Sequence, residues 1–189
     1  VVLGNNASIT YQGSSVRPLI ISGVISDGGS GYSLAINDEL GAWAVTSRTV
    51  RLTGANTFSG NISINEGTLE FDTVTGISGA ASSLGQGTAI NVTNSATLSF
   101  IGTSAQFTDR PITSSNAAGI LTLSANGTGV GTKITYGGAI TIANTATGSN
   151  LVLTGTDGSE GVISGCFTQT GDLADMTVNG ATWTHITGT

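Results

Sequence analysis

Apolar and polar residues alternate strictly in several short runs of this 189-residue chain. A period of two sends every second side chain to the same face of an extended strand, so each run predicts a short strand with one apolar face. Turn-forming residues separate the runs, as in Asp27-Gly28-Gly29 and Asn65-Glu66-Gly67, and no helix-period segment of ten residues or more is present. The pattern therefore predicts an all-β sandwich, barrel or solenoid. The clearest runs are Thr68–Phe71, Ala89–Val92, Thr97–Phe100, Ile120–Leu123 and Ala139–Ile142.

Internal repetition favours the solenoid among these three folds. The segment Asn5–Ser14 recurs as Asn94–Thr103, and an Arg-Pro-aliphatic triplet follows each copy, beginning at Arg17 and at Arg110. Copies built of short strands are typical of stacked coils joined by loops of variable length, whereas a sandwich has no reason to repeat in this way. We predict one β-solenoid domain over residues 1–189 with repeat units near 5–93 and 94–189. A coil of about 22 residues would give roughly eight or nine coils.

The segment Leu52–Leu69, LTGANTFSGNISINEGTL, resembles the autotransporter-associated β-strand repeat, also called the passenger-associated transport repeat. It departs from the family pattern at Phe58, where Tyr is usual, and at Ser63, where Thr or Val is common. The resemblance implies a right-handed parallel β-helix in the passenger region of a bacterial surface protein that is secreted through the outer membrane. No catalytic residue comes with this motif.

Glycine and asparagine at the turns of such a solenoid have a structural explanation. Neighbouring coils lie about 4.8 Å apart, so like residues align in rows along the axis. Asn side chains can hydrogen-bond along a row, and Gly permits the bend. The candidates for these turn and ladder roles are Gly54, Asn56, Gly60, Asn65, Gly67 and Asn94.

The composition excludes several classes of function. Charged residues are 8% of the chain and the formal net charge is −6, and its five basic residues are scattered, which disfavours a nucleic-acid surface. Cys166 is the one cysteine and His185 the one histidine, so neither an internal disulfide nor the usual zinc site is expected, and no cofactor is predicted. No apolar run approaches the roughly 20 residues of a membrane-spanning helix. Many small polar residues and little Lys are typical of a secreted bacterial surface protein.

A carbohydrate-active β-helix enzyme or a glycan-binding module is the alternative. Such an enzyme places two or three carboxylates on one exposed face. Glu70 and Asp72 share a strand face, whereas Asp38 and Glu39, as neighbours, point to opposite faces. Solvated surface charge is the favoured interpretation for all the acidic pairs, which are Asp38-Glu39, Glu70 with Asp72, Asp157 with Glu160, and Asp172 with Asp175.

Two residues and one segment are further candidates for a functional role. His185 shares a strand face with Trp183 and has no carboxylate or nucleophile near it in sequence, so a structural or exposed role is expected. Cys166 at a strand start is predicted to be a small buried apolar residue. The segment beginning at Asp27 resembles calcium-binding nonapeptide repeats only faintly, because Tyr32 stands where an Asp is expected.

The sequence thus predicts an extracellular structural or adhesive solenoid, either a passenger stalk or a subunit of a filament. The apolar residues Val1, Val2 and Leu3 at one end and Ile186 at the other are expected to be covered. The covering partner would be a second copy of the chain or more of the same polypeptide, since an uncapped coil exposes unpaired backbone groups. A cell-surface glycan is a further possible partner.

Overall fold

All regular secondary structure in the described residues is β-strand. The computed structural model describes residues 1–11, 17–37, 48–115, 119–143, 150–170 and 176–185, and these contain sixteen strands and no helix. The all-β prediction is therefore confirmed, and the strands form the parallel sheets of a β-solenoid of about 5 turns. The five alternating runs named above correspond to strands at the same positions.

The first sheet has seven parallel strands, one above the other along the solenoid. Their burial alternates, because one face of each strand packs into the interior and the other faces outward. In spatial order the strands are β1 (Ala7–Thr10), β3 (Leu34–Asn37), β5 (Ile62–Ile64), β7 (Ile90–Val92), β10 (Ile112–Ser114), β13 (Ile140–Ala143) and β15 (Phe167–Thr170).

The second sheet follows the order β2-β4-β6-β8-β11-β14-β12-β9, and β16 pairs with β14. Its long strand β14 pairs with β11 through its first part and with β12 through its last part, with a register shift between Gly155 and Glu160. The sheet therefore turns a corner inside β14 and β16 and supplies two sides of the coil. The strands are β2 (Leu19–Ile21), β4 (Thr49–Leu52), β6 (Gly67–Phe71), β8 (Ala96–Phe100), β9 (Gln106–Thr108), β11 (Ile120–Ala125), β12 (Thr132–Tyr136), β14 (Asn150–Ile163) and β16 (Met176–His185).

The coils differ in length from the prediction. Along the first sheet the chain advances 27 residues from Ala7 to Leu34 and 28 from Leu34 to Ile62, and 22 from Ile90 to Ile112. The predicted number of eight or nine coils is not confirmed, because it assumed the shortest of these spacings for every coil. Loops between strands add residues without adding rise along the axis.

The core is made of rows of like side chains. One row in the second sheet runs through seven paired positions, and its central members Leu69, Leu98 and Leu123 are fully buried. Beside it, the rings of Phe71 and Phe100 pack against one another in adjacent coils, with centroids 5.7 Å apart and planes tilted by 50°. Such rows bury apolar surface continuously, which is the main favourable term in folding. The complete row is Leu19, Val50, Leu69, Leu98, Leu123, Leu153 and Val178.

The sequence repeats map onto this architecture in two ways. The motif Leu52–Leu69 makes one pass around the solenoid, from the end of β4 through β5 into β6, where Val50 pairs with Leu69. The longer repeat behaves differently, because the copy that contains β1 lies in the first sheet and the copy that contains β8 lies in the second. The spacing of about ninety residues is therefore not a whole number of coils.

Candidate functional site

Glu70 and Asp72 are each engaged by another residue of the scaffold. Glu70 Oε2 lies 2.6 Å from Nε of Arg51, which is the register partner of Glu70 on the adjacent strand. Asp72 Oδ1 accepts a short hydrogen bond from the hydroxyl of Ser83. Each carboxylate thus has its own partner from the scaffold, and the two do not converge on a common polar group.

The remaining acidic candidates do not form a pair in the described part of the chain. Asp157 is exposed in β14, in the stretch between Gly155 and Glu160 where the register shifts, and Glu160 lies in the same strand opposite Lys133. Glu160 supplies the one carboxylate to an open surface pocket of about 240 Å³, which is lined by Gly131, Thr132, Gly158, Ser159, Glu160 and Thr182. The pairs Asp38-Glu39 and Asp172 with Asp175 lie outside the described residues.

Asp27 is a buried residue of a turn that the sequence predicts, and its contact with the next coil is what the sequence did not reveal. Its Oδ1 accepts the N–H of Gly29 at 2.9 Å, and its Oδ2 accepts the N–H of Tyr32 at 3.0 Å. The same Oδ2 accepts both the N–H and the hydroxyl of Ser59, at 3.0 and 2.8 Å, from the next coil. An Asp that precedes two glycines is a known signal for a side chain that caps its own turn. Asp27 therefore closes one turn and binds it to the coil above.

The charge of Asp27 is stabilised by these contacts. Burial raises the pKa of this carboxyl group, but the hydrogen bonds from Ser59, Gly29 and Tyr32 lower it by more, so that the pKa falls from 3.8 to about 2. Hydrogen bonds to the charged form favour ionisation even in a buried position. Because all of these donors are directed at it, the carboxylate of Asp27 has a structural role.

Asn56 joins three coils through one fully buried side chain. Its Oδ1 accepts the N–H of Ile25 at 2.8 Å, and its Nδ2 donates to the carbonyl of Ser83 at 2.7 Å. The backbone of Asn56 also forms an antiparallel bridge with Ser82. A buried backbone group without a partner is costly, and one amide here satisfies one such group on each side.

The other predicted ladder residues lie in different surroundings. Asn65 donates from Nδ2 to Oδ1 of Asn37 in one neighbouring coil, and its own Oδ1 accepts the hydroxyl of Thr93 in the other, at 3.0 Å. These three side chains form a hydrogen-bonded row along the axis. Asn94 is exposed at a bend just before β8.

The three predicted turn glycines lie where the backbone favours glycine. A Cβ at Gly60 would come 2.3 Å from the backbone carbon of Tyr32, and one at Gly54 would come 2.5 Å from the oxygen of Gly23. Gly67 has φ of +84°, a conformation that other residues rarely adopt, and it opens the tight corner between β5 and β6. Close approach of the coils and one positive φ explain these positions.

Arg110 is a buried cation with a structural role that the sequence did not reveal. It is 1% exposed, and its guanidinium donates to the carbonyls of Leu84 and Gly85 at 3.0 and 2.7 Å. A third hydrogen bond, of 3.4 Å, joins it to the hydroxyl of Thr75. Arg110 therefore fastens the long connection between β6 and β7 to the body of the solenoid.

The prediction for Cys166 is wrong, because its side chain is exposed. Cys166 lies one residue before β15, so the alternation of inward and outward side chains within that strand does not determine where its side chain points.

Trp183 is partly buried, donates from Nε1 to the carbonyl of Thr154 at 3.0 Å and stacks on Tyr136. His185 is the last residue of β16.

The two ends of the described solenoid carry exposed apolar residues. Val1 and Val2 are 80% and 76% exposed, whereas Leu3 is buried, and Ile186 lies outside the described residues. At the other end, Met176 and Val178 line an apolar cavity of about 340 Å³. Its walls are Leu151, Leu153, Ile163, Phe167, Met176, Val178, Trp183 and Thr184.

Neither a metal cluster nor a spanning helix is found in the part of the chain that the structure describes. No three His, Cys, Asp or Glu side chains lie together there as metal ligands would. None of those residues forms a helix long and apolar enough to cross a membrane. Comparisons with protein-family models, curated proteins and solved structures gave no match.

Proposed function

We propose that this chain is a non-enzymatic structural solenoid of the bacterial exterior, secreted and displayed as a stalk of the autotransporter-passenger type. The resemblance of Leu52–Leu69 to the passenger-associated repeat supports this assignment, and that segment makes one pass around the coil. We expect the coil to be right-handed, as that resemblance implies and as nearly all crossovers between parallel strands are.

One observation carries the proposal: Glu70 and Asp72, the acidic pair that shares a strand face, are each bound by the scaffold. Glu70 pairs with Arg51, and Asp72 accepts a hydrogen bond from Ser83. A glycosidase needs one carboxyl group as proton donor and a second as nucleophile or base across the sugar. Here each of the two carboxylates contacts a scaffold group, and the two do not face one another across a common site.

The outer face of the first sheet also supports a passive structural role. Its register positions hold hydroxyl, amide and methyl side chains and no charge. Such a face is hydrated but offers no aromatic platform for a sugar ring. The outward positions of the central column are Ser8, Ala35, Ser63, Asn91, Thr113, Thr141 and Thr168.

The test is incubation of the purified chain with pectins, glucans and peptidoglycan fragments. We expect no product above the level of a boiled control. Asp72→Asn and Glu70→Gln variants should leave that result unchanged while lowering the melting temperature slightly, since both residues bind the scaffold. Turnover by the wild-type chain that disappears in either variant would overturn the structural proposal.

A further inference from the structure

The long strand β14 contains a short bulge that no neighbouring strand holds. The first part of β14 is paired as far as Gly155 with β11 and β16, and its last part is paired from Ser159 onward with β12. Between them, Thr156, Asp157 and Gly158 have no register partner in any of these three strands, and all three are exposed. The backbone of this bulge is therefore less constrained than the rest of β14.

The bulge contains an Asp-Gly dipeptide, which can rearrange without an enzyme. The backbone nitrogen of the glycine attacks Cγ of the neutral Asp carboxyl group, a C–N bond forms, and the carboxyl OH leaves as water together with the amide proton. Water then opens the succinimide ring at either carbonyl group. One opening restores aspartate, and the other gives isoaspartate, in which the main chain continues through the former side chain. Glycine favours the attack, because it has no Cβ beside its nitrogen.

The surroundings of Asp157 and Gly158 leave this reaction unhindered. The carboxyl group of Asp157 has no hydrogen bond or ion pair with any residue that the structure describes. A Cβ at Gly158 would meet nothing within 4 Å, and the φ of Gly158 is +87°. Gly158 also lines the open pocket of about 240 Å³ that contains Glu160. There is therefore room for the ring to form, and water has access to open it.

The same dipeptide occurs at Asp27-Gly28 in the opposite surroundings. Asp27 is 2% exposed, and its two carboxylate oxygens accept the hydrogen bonds from Gly29, Tyr32 and Ser59 described above. These bonds fix the carboxyl group in place and favour its charged form, which has no OH to lose as water. The chain thus carries its own comparison between a free Asp-Gly dipeptide and a held one.

Two Asn-Gly dipeptides could close the same ring with loss of ammonia, but the fold holds both. The amide of Asn126 donates to the hydroxyl of Ser99, and the N–H of Gly127, which would be the attacking group, donates to the hydroxyl of Ser159 at 3.2 Å. The second dipeptide, Asn179-Gly180, lies at register-paired positions of β16. Hydrolysis at these sites changes the mass of the chain, whereas isomerisation of an aspartate does not, so the two reactions can be told apart.

We propose that Asp157 is a site of spontaneous isoaspartate formation, with the backbone nitrogen of Gly158 as the nucleophile and water as the co-reactant. The change adds a carbon atom to the main chain. Within a paired strand this atom would displace every later register pair, but here it falls in the bulge, so the pairs at Gly155 and Ser159 remain. The solenoid should therefore accept the modification without unfolding.

The test is storage of the purified chain in neutral buffer, both folded and unfolded in guanidinium chloride. Isoaspartate is measured by methyl transfer from an isoaspartyl-specific methyltransferase and is located by mass spectrometry of peptides. In denaturant we expect Asp27 and Asp157 to convert at similar rates, because the dipeptide is the same. In the folded chain we expect conversion at Asp157, none above background at Asp27, and an unchanged melting temperature after storage.

Two variants of the bulge sharpen the test. Asp157→Glu keeps the charge but would need a larger ring that closes far less readily, so methyl acceptance by the folded chain should be lost. Thr156→Ser is the matched control, because it changes an exposed residue of the same bulge and leaves the dipeptide intact. Methyl acceptance by this variant should equal that of the wild type, and both variants should melt as the wild type does.

The proposal would be overturned if the folded chain formed no isoaspartate at Asp157, or formed it equally at Asp27 and Asp157. Methyl acceptance that persists in Asp157→Glu would place the reactive site elsewhere and would overturn it as well. A lower melting temperature of the stored chain would show that the bulge does not accommodate the added carbon atom. None of these results depends on enzymatic turnover, so the proposed structural role is tested separately.

Discussion

Single polar side chains join the coils of this solenoid at positions where the backbone alone cannot. Asp27 binds one turn to Ser59 of the next coil, and Asn56 binds Ile25 below and Ser83 above. Both side chains are buried, so their partners have no water to replace them. Replacement of either residue should therefore lower the free energy of unfolding markedly, whereas replacement of an exposed polar residue such as Asn94 should change it little.

The folded chain should lose stability in acid through Asp27. The pKa of this carboxyl group is lowered to about 2 in the folded protein, so its contribution is fully present above the unfolded value of about 4 and is lost as the pH falls towards 2. Asp27→Asn removes that titration and should cost about 1–3 kcal/mol at pH 7, because buried N–H donors lose their acceptor. Urea unfolding between pH 2 and 7 measures both effects. An unchanged pH profile in the variant would contradict this role of Asp27.

Asn56→Ala should be among the more damaging replacements of a buried polar residue in the chain. It leaves the N–H of Ile25 and the carbonyl of Ser83 buried without partners, at about 1–3 kcal/mol for each group. Asn94→Ala is the matched control, because Asn94 is exposed, and it should change the unfolding free energy by less than about 0.5 kcal/mol. Chemical denaturation of both variants decides the matter, and equal effects would refute the bridging role of Asn56.

At the scale of the element, each coil is held close to the next by glycines at the corners. Gly60 donates its N–H to the carbonyl of Tyr32 at 3.2 Å, and its missing side chain lets the two backbones approach. Strand pairing on either side of such a corner needs this approach. A corner glycine therefore sets the register of two strands at once.

Gly60→Ala should destabilise the fold by about 1–3 kcal/mol, since the added methyl group would lie 2.3 Å from backbone atoms that cannot yield without moving a coil. Gly23→Ala is the control: a Cβ there meets nothing within 4 Å and the backbone has no positive φ. Thermal melting of the pair tests the close approach. Equal melting temperatures would mean that the corner is looser than described.

The strands themselves could be predicted from sequence, but their connections could not. Alternation located β6, β7, β8, β11 and β13, because a half-buried strand imposes a period of two on its own residues. Coil length depends on loops such as the long connection fastened by Arg110, whose hydrogen bonds go to carbonyls some 25 residues away and leave no local pattern. The exposure of Cys166 was missed for a similar reason, since the turn before β15, and not the alternation within the strand, sets the direction of this side chain.

At the scale of the whole molecule, the solenoid is a stack in which each coil touches only its neighbours. Stability in such a fold is close to a sum of coil and interface contributions. A side chain in the middle of a row has a neighbour on both sides, whereas one in a terminal coil has a neighbour on one side only. The same substitution should therefore cost different amounts along one row.

Leu98→Ala should cost about 2–5 kcal/mol, because Leu98 is fully buried between Leu69 and Leu123 and its loss leaves a cavity. Val178→Ala in the same row should cost less than about 1 kcal/mol in the monomer, because Val178 is already half-exposed. Urea denaturation of both variants at low protein concentration makes the comparison. Similar costs at the two positions would argue against the row as described.

The hydrogen bonds between parallel strands of adjacent coils have a mechanical consequence. They run along the axis of the solenoid, so a pull on its two ends loads them one coil after another, as in opening a zipper. Each coil that peels away releases 27 residues in the case of Ala7 to Leu34 and 28 in the case of Leu34 to Ile62. A pull across the axis instead loads the covalent chain, which does not yield. The molecule is therefore compliant lengthwise and stiff sideways, and it would lengthen in steps under tension.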